Sequence, residues 1–256
     1  MKFDQKDLFS LLEEKHDLYN RPSFIIEDPV SIPHLFARKE DIEISAFMSA
    51  MIAWGQRKSI LSHAEKLVQM MDLQPYNFII GFTKQDLQPF KKFIHRTFNG
   101  DDCIFFIRAL RHIYTKHGGL ENAFQVVNDH EKIYHGIIQF RKLFFETEHL
   151  KRSEKHIADP GKNSSCKRIN LFLRWMIRND QRGVDFGIWK SFDPAELICP
   201  LDIHTGNVAR KLGIINRNQN DWKFATELTS FLRTLDAKDP VKYDFALFGL
   251  GLYEKF

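Results

Sequence analysis

The sequence predicts an all-α fold, and three observations carry that prediction. Apolar residues recur at the i, i+3, i+4, i+7 spacing of a helix along most of the chain, and no segment alternates apolar and polar residues as a half-buried strand does. Asp-Pro pairs that start helices and glycines that stop them punctuate the periodic stretches. About ten to twelve helices are expected, with no internal repeat and no low-complexity linker.

The elements follow in order. MKFDQKDLFSLLEEKHD carries apolar residues at helical spacing among charges, which predicts a helix over 5–18. RPSFIIEDPVSIPH, Arg21 to His34, is a proline-rich irregular connection, because proline lacks an amide donor and biases the preceding residue away from the helix. In DIEISAFMSAMIAWG, the residues Ile44, Phe47, Met48, Met51 and Ile52 form the stripe of a helix buried on one face, and a further helix is expected over 57–71. DCIFFIRALRHIYTKHGG repeats the period through Cys103, Phe106, Ile107, Leu110, Ile113 and Tyr114, with Gly118 and Gly119 as its stop. Helices are expected over 121–128 and 131–146. The polar, turn-rich KRSEKHIADPGKNSSC then feeds KRINLFLRWMIRN, where Ile169, Phe172, Leu173, Met176 and Ile177 share one face. Asp193-Pro194 and Asp239-Pro240 each pair an N-cap carboxylate with proline at the first helical position, so helices should begin at both. Trp222 to Leu235, with Phe224, Leu228, Leu232 and Leu235 in register, is another amphipathic helix.

Composition bounds the function. A chain of 256 residues with 43% hydrophobic content buries a real core, and its 24 phenylalanines imply a core of large rings. No window approaches the roughly 20 apolar residues of a membrane span, and the amino terminus has no secretory apolar stretch, so a cytoplasmic protein with no membrane partner is expected. Three dispersed cysteines fit a reducing compartment, and their number excludes an iron-sulfur cluster held by four cysteines. Residues 1–150 carry 19 Lys and Arg against 20 Asp and Glu, whereas 151–190 carry 10 against 4. Either that basic excess is ordinary solvated surface or it faces phosphate. Most aromatics at helical spacing are core, and Trp175 is expected to be buried; Trp54, Trp189 and Phe186 are the other rings considered for stacking on a base.

CPLDIHTGNVARKLGI, Cys199 to Ile214, holds the densest set of chemical groups. Pro200 biases Cys199 to extended geometry, so a helix through Arg210 and Leu212 can begin at Asp202. Asp202 is then a helix cap, a metal ligand with Cys199, His204 and the distant Cys166, or a carboxylate that acts on substrate. The Cys and His spacing matches no structural zinc pattern, so no metal and no cofactor are expected.

PLDIHTGNVARKLG resembles the V-D-x-H-x-x-R-x-x-x-R-L-G segment of the helix-hairpin-helix DNA glycosylase superfamily, with Leu201 in place of valine. In that superfamily the aspartate is the catalytic carboxylate, and Asp202 stands at its position; His204 and Arg210 match as well. ISAFMSAMIAWGQRKSILSHAEKLV is similar to the superfamily's early helix, loop and helix, where a glutamine enters the space left by an extruded base. Gln56 is the matching residue. CKRINLFLRWMIR resembles the lysine-bearing helix start of the archaeal 8-oxoguanine glycosylase branch, K-T-x-V-F-x-x-K-M, which puts Lys167 in the nucleophile's place, 35 residues before Asp202. The L-P-G-V-G-x-K hairpin is atypical here: DPGKNSSCK, Asp159 to Lys167, keeps the Pro-Gly and the final lysine but is longer and lacks the second glycine. The whole chain also looks like an uncharacterised bacterial family marked by K-R-x-N-x-F-L-R-W-M-x-R, P-L-D-x-H-T and D-P-V-K-Y-D-F-A-L-F-x-L-G.

The resemblance implies a two-lobed glycosylase-like helical fold with a cleft, a central lobe of about 36–190 and a second lobe of about 1–35 plus 191–256. It implies a monomeric base-excision repair enzyme, nucleoid-associated, that flips a damaged base out of double-stranded DNA. Lys167 and Asp202 would be catalytic, with Lys167 attacking sugar C1′ as a neutral amine. Gln56, Arg57, Lys162, Arg168, Arg174, His204 and Arg210 would contact nucleic acid, and Arg178 and Arg182 are further basic candidates. Two other readings stay open: a non-enzymatic helical module binding abnormal DNA or structured RNA, and a metal-dependent hydrolase. Because a base pocket is assembled from side chains distant in sequence, the lesion is left open.

Overall fold

The computed structural model describes residues 4–126 and 130–256. Among them the chain is all-helical, with eleven α-helices, eight short 3-10 segments and no strand; two isolated bridges, His95 with Phe98 and Ser164 with Asp221, are the extended pairings. No helix among these residues is long and apolar enough to cross a membrane. The chain forms two compact units: residues 27–158, and residues 1–26 together with 159–256.

The terminal unit begins with α1 (Gln5–Tyr19), capped where Asp4 accepts the Asp7 amide at 2.7 Å. The proline-rich segment after it is not irregular throughout: Pro22–Glu27, Pro29–Ser31 and Pro33–Leu35 each form a 3-10 turn. Proline fixes φ near the helical value and has no amide to leave unpaired in a first turn, so short turns form although a long helix cannot.

The internal unit holds α2 (Lys39–Met51), α3 (Arg57–Gln69), α4 (Pro75–Gly81), α5 (Gly100–Lys116), α6 (Leu120–Phe124) and α7 (Lys132–Phe144). The one-face burial expected of α2 is corrected: Ile42 through Met51 are all buried, including Glu43, Ser45 and Ser49. Small side chains on the polar side let neighbours approach, and the polar atoms of Ser45 and Glu43 find partners. Ser45 donates to the Asp41 carbonyl at 2.7 Å, and Glu43 accepts from the Tyr114 hydroxyl at 2.6 Å. α4 is an addition, since seven residues are too short to show a stripe. α5 starts on a reciprocal capping box between Asn99 and Asp102 and ends before Gly118 and Gly119, both at positive φ. The predicted helix over 121–128 is the shorter α6, and positions 127 and 128 of that prediction lie outside the described residues. The core is the phenylalanine cluster that composition implied: Phe124 stacks on Phe140 at 4.2 Å between centroids, and Phe47 meets Phe106, Phe140 and Phe144 within 6.0 Å.

The terminal unit continues with α8 (Lys167–Ile177), α9 (Ile203–Lys211), α10 (Trp222–Leu235) and α11 (Tyr243–Leu252). α11 packs on α1 and α9. Trp175 is fully buried as expected, and so is Trp189, which meets Phe172 edge to face; neither ring is available to stack on a base. Of the two Asp-Pro starts, Asp193 caps only a three-residue 3-10 turn, Pro194–Glu196. Asp239 makes no side-chain cap, because its carboxylate accepts from Arg178 Nε at 3.0 Å; Pro240–Lys242 forms a 3-10 turn that leads into α11. α8 lies with both termini in this unit, held to the segment after it by the Phe186 and Trp189 amides, which donate to the Trp175 and Met176 carbonyls at 2.8 and 2.9 Å.

Candidate active site

Lys167 is the first residue of α8, and the turn that delivers it is built without the second glycine of the hairpin pattern. Asp159 accepts the Gly161 amide at 2.9 Å and starts the Pro160–Lys162 turn. Asn163 and Cys166 then adopt left-handed conformations, with φ of 58° and 50°. Asparagine tolerates that region, whereas cysteine there costs about 1–2 kcal/mol that surrounding contacts must offset. Those contacts are present. Asn163 donates to Asp221 Oδ2 at 2.9 Å and accepts the Trp222 amide at 3.2 Å, and Cys166 is buried. Asp221 also caps α10 and pairs with Arg217, so the turn is clamped to a helix start.

Asp202 is the N-cap of α9 in extended geometry, and its two oxygens are divided. Oδ1 accepts the Thr205 amide at 2.9 Å, while Oδ2 stands 3.8 Å from Lys167 Nζ. The lysine side chain is 30% exposed and the aspartate 12%, so both reach solvent from a mostly enclosed position.

Behind this pair lies a carboxylate that sequence reasoning missed. Asp244, buried in α11, accepts from Arg174 NH1 at 2.5 Å, from the Thr205 hydroxyl at 3.4 Å and from the Cys199 thiol at 3.8 Å. Burial pushes the Asp244 carboxyl up to about 6; Arg174 works against the shift, and the charge of Asp202 adds to it. A lone charge inside the apolar run YDFALFGLGL was its signal. Burial, with Asp244 beside it, raises the Cys199 thiol well above its ordinary range, so it stays protonated. Cys199, Asp202 and His204 make no three-ligand group among the described residues.

The basic candidates separate. Arg174, expected on a phosphate-facing surface, is buried with 3% of its side chain exposed and is spent on Asp185 and Asp244. Arg178 is likewise buried between Asp185, Asp180 and Asp239, and Arg182 pairs with Asp17 at 2.6 Å. The basic excess of 151–190 is therefore partly internal ion pairing, which no linear charge count distinguishes from surface. Arg210 donates to the carbonyls of Arg217 and Asn218 at 2.7 Å each and lies over Phe224, so its fork holds the loop before α10. His204 packs edge to face on Phe248, and a side chain at Gly251 would collide with it. Lys162 is exposed; Arg168 is half-buried, and desolvation lowers its guanidinium pKa to about 10. In the internal unit, Gln56 is exposed at the start of α3 without a capping bond, after Gly55 at φ 104°. Arg57 beside it lies 3.7 Å from Asp28. Trp54 is half-buried against the His95 and His156 rings.

No curated protein and no solved structure matches this chain. A family model matches residues 28–253, nearly the full length and including α2 to α11. The chain thus belongs to the family described as Protein of unknown function (DUF2400).

Proposed function

We propose that the protein is a DNA base-excision repair glycosylase with AP lyase activity, acting on an oxidised or otherwise damaged base that it flips out of the duplex. One observation carries the reading: Lys167 Nζ and Asp202 Oδ2 stand 3.8 Å apart, at the positions that the glycosylase resemblance gives to nucleophile and carboxylate. In this reading the neutral amine of Lys167 adds to sugar C1′ as the C1′ to base bond breaks and the base leaves with a proton. Ring opening gives a Schiff base, and β-elimination from it breaks the strand at the 3′ phosphate. Asp202 stabilises positive charge developing on the sugar and carries the amine's proton. Lys162, in the same unit, contacts phosphate.

Borohydride trapping with a panel of oxidised-base and abasic duplexes tests this directly. A covalent adduct formed by the native chain and lost in Lys167→Gln is expected; no adduct with any substrate sinks the bifunctional chemistry. A second reading, a helical module that binds abnormal DNA or structured RNA, draws on the Asp202 to Thr205 cap, which gives that carboxylate a structural task. It predicts salt-dependent binding that Asp202→Asn leaves intact, with no turnover to lose.

A further inference from the structure

At the end of α5, far in sequence from Lys167 and Asp202, three side chains converge on one point. His112 Nε2 lies 2.8 Å from Glu146 Oε2, His117 Nε2 lies 3.3 Å from the same oxygen, and the two ring nitrogens are 3.2 Å apart. A tetrahedral ion with ligands at about 2.0–2.1 Å holds them about 3.3–3.4 Å from one another, so these separations are close to three edges of one coordination tetrahedron. With a hydrogen on each nitrogen aimed at the shared oxygen, two N–H groups would crowd each other. An ion that takes a lone pair from each removes the conflict.

The scaffold holds the three groups before any ion arrives. His117 is the C-cap of α5, with its amide on the Ile113 carbonyl at 3.0 Å, and the following Gly118 and Gly119 turn the chain at positive φ. Glu146 follows the C-cap of α7, where Phe144 and Phe145 pack on Phe106 and Phe105 of α5 at 5.1 and 5.8 Å. The same ring contacts that build the core therefore fix the distance between the two helix ends. The side chains are 29%, 24% and 42% exposed, which leaves room for water as a fourth ligand and an open path for entry.

We propose that His112, His117 and Glu146 form a binding site for a divalent first-row transition ion, Zn2+ being the best match, with water completing the tetrahedron. Two imidazoles and one carboxylate suit Zn2+, whereas Mg2+ and Ca2+ take oxygen ligands. The ion ties the carboxyl end of α5 to the segment after α7, a cross-link within the internal unit that is independent of the proposed DNA chemistry.

The test uses the full chain stripped with chelator, then titrated with Zn2+ against a chromophoric competitor and with Co2+ read by its visible bands. One equivalent of saturable Zn2+, tetrahedral Co2+ bands and a Zn2+-dependent rise in melting temperature are expected. His112→Gln and His117→Gln should each weaken Zn2+ binding by more than about tenfold, and the double variant should lose it and the thermal shift, with helical circular dichroism unchanged. Glu146→Gln gives an independent variant should the double one fold poorly. Absence of saturable binding, or binding of equal stoichiometry and affinity in these variants, overturns the site.

Discussion

Asp202 turns one carboxylate oxygen to the Thr205 amide at 2.9 Å and the other to Lys167 Nζ at 3.8 Å. A helix cap and an ion-pair partner are thus compatible in one residue, and substitution can separate them. Asparagine caps a helix about as well as aspartate but carries no charge. Asp202→Asn should leave the melting temperature nearly unchanged while turnover on a cleaved duplex falls by about two orders of magnitude. Asp202→Ala should lose the same turnover and also about 1 kcal/mol of stability in urea denaturation. Equal turnover in native and Asp202→Asn protein would assign the carboxylate to capping alone.

Arg178 is 1% exposed and bonded to the buried Asp185 and the half-buried Asp180 and Asp239, so removing it takes the shared cation from three carboxylates. Arg178→Met should destabilise the chain by about 3–5 kcal/mol, measured by denaturant unfolding. Lys162, exposed on its turn, is the contrasting case. Lys162→Ala should leave stability within about 0.5 kcal/mol, and the slope of log binding constant against log salt should drop by about 1 on duplex DNA.

His16 is buried in α1, where Asn20 Nδ2 approaches its Nε2 at 2.9 Å. Burial first, then the charges of Arg178, Arg182 and Lys242, lower its pKa from 6.5 to about 4, against the opposing charge of Asp17. The unfolded chain therefore binds a proton between these values that the folded chain refuses. This residue's contribution to stability is fully present above pH 6.5 and is lost as pH falls toward 4. Native protein should lose about 3 kcal/mol through His16 across that window. The acid sensitivity should shrink in His16→Gln, checked by urea midpoints at pH 4.5 and 7.

Gly249 of α11 lies against the Tyr19 ring of α1, and a Cβ built there would stand 2.1 Å from Tyr19 Cδ2. A rigid ring stacked on Tyr253 and bonded through its hydroxyl to Glu254 cannot simply rotate away. Gly249→Ala should cost about 1–3 kcal/mol by overpacking, visible as a lower melting temperature. A neutral result would show that α1 can lift from α11 at little cost.

Much of the helical order was legible in the sequence because apolar spacing, caps and stops are local. Trp222–Leu235 has the bounds that its stripe and flanking residues imply, and α5 ends at its two glycines. The proline-rich segment and Asp239 depart from expectation for a local and a distant reason respectively. Proline permits a single turn where it forbids a helix, and Asp239 is claimed by Arg178, 61 residues away.

The sequence by itself determined the all-α class and the phenylalanine core, since these rest on periodicity and composition, while the resemblance to the glycosylase superfamily paired Lys167 with Asp202 as candidates. Only the tertiary structure decided which charges face solvent. Arg174 and Arg178 read as surface in a linear count, yet helix packing buries them beside Asp185, Asp244 and Asp239. It also decided what meets across elements. His112 and His117 are five residues apart, but Glu146 joins them only because the rings of α5 and α7 interlock. Asp244 comes to stand behind Asp202 because α11 packs on α9. Such meetings depend on the packing of whole helices, and the distance along the chain carries no trace of them.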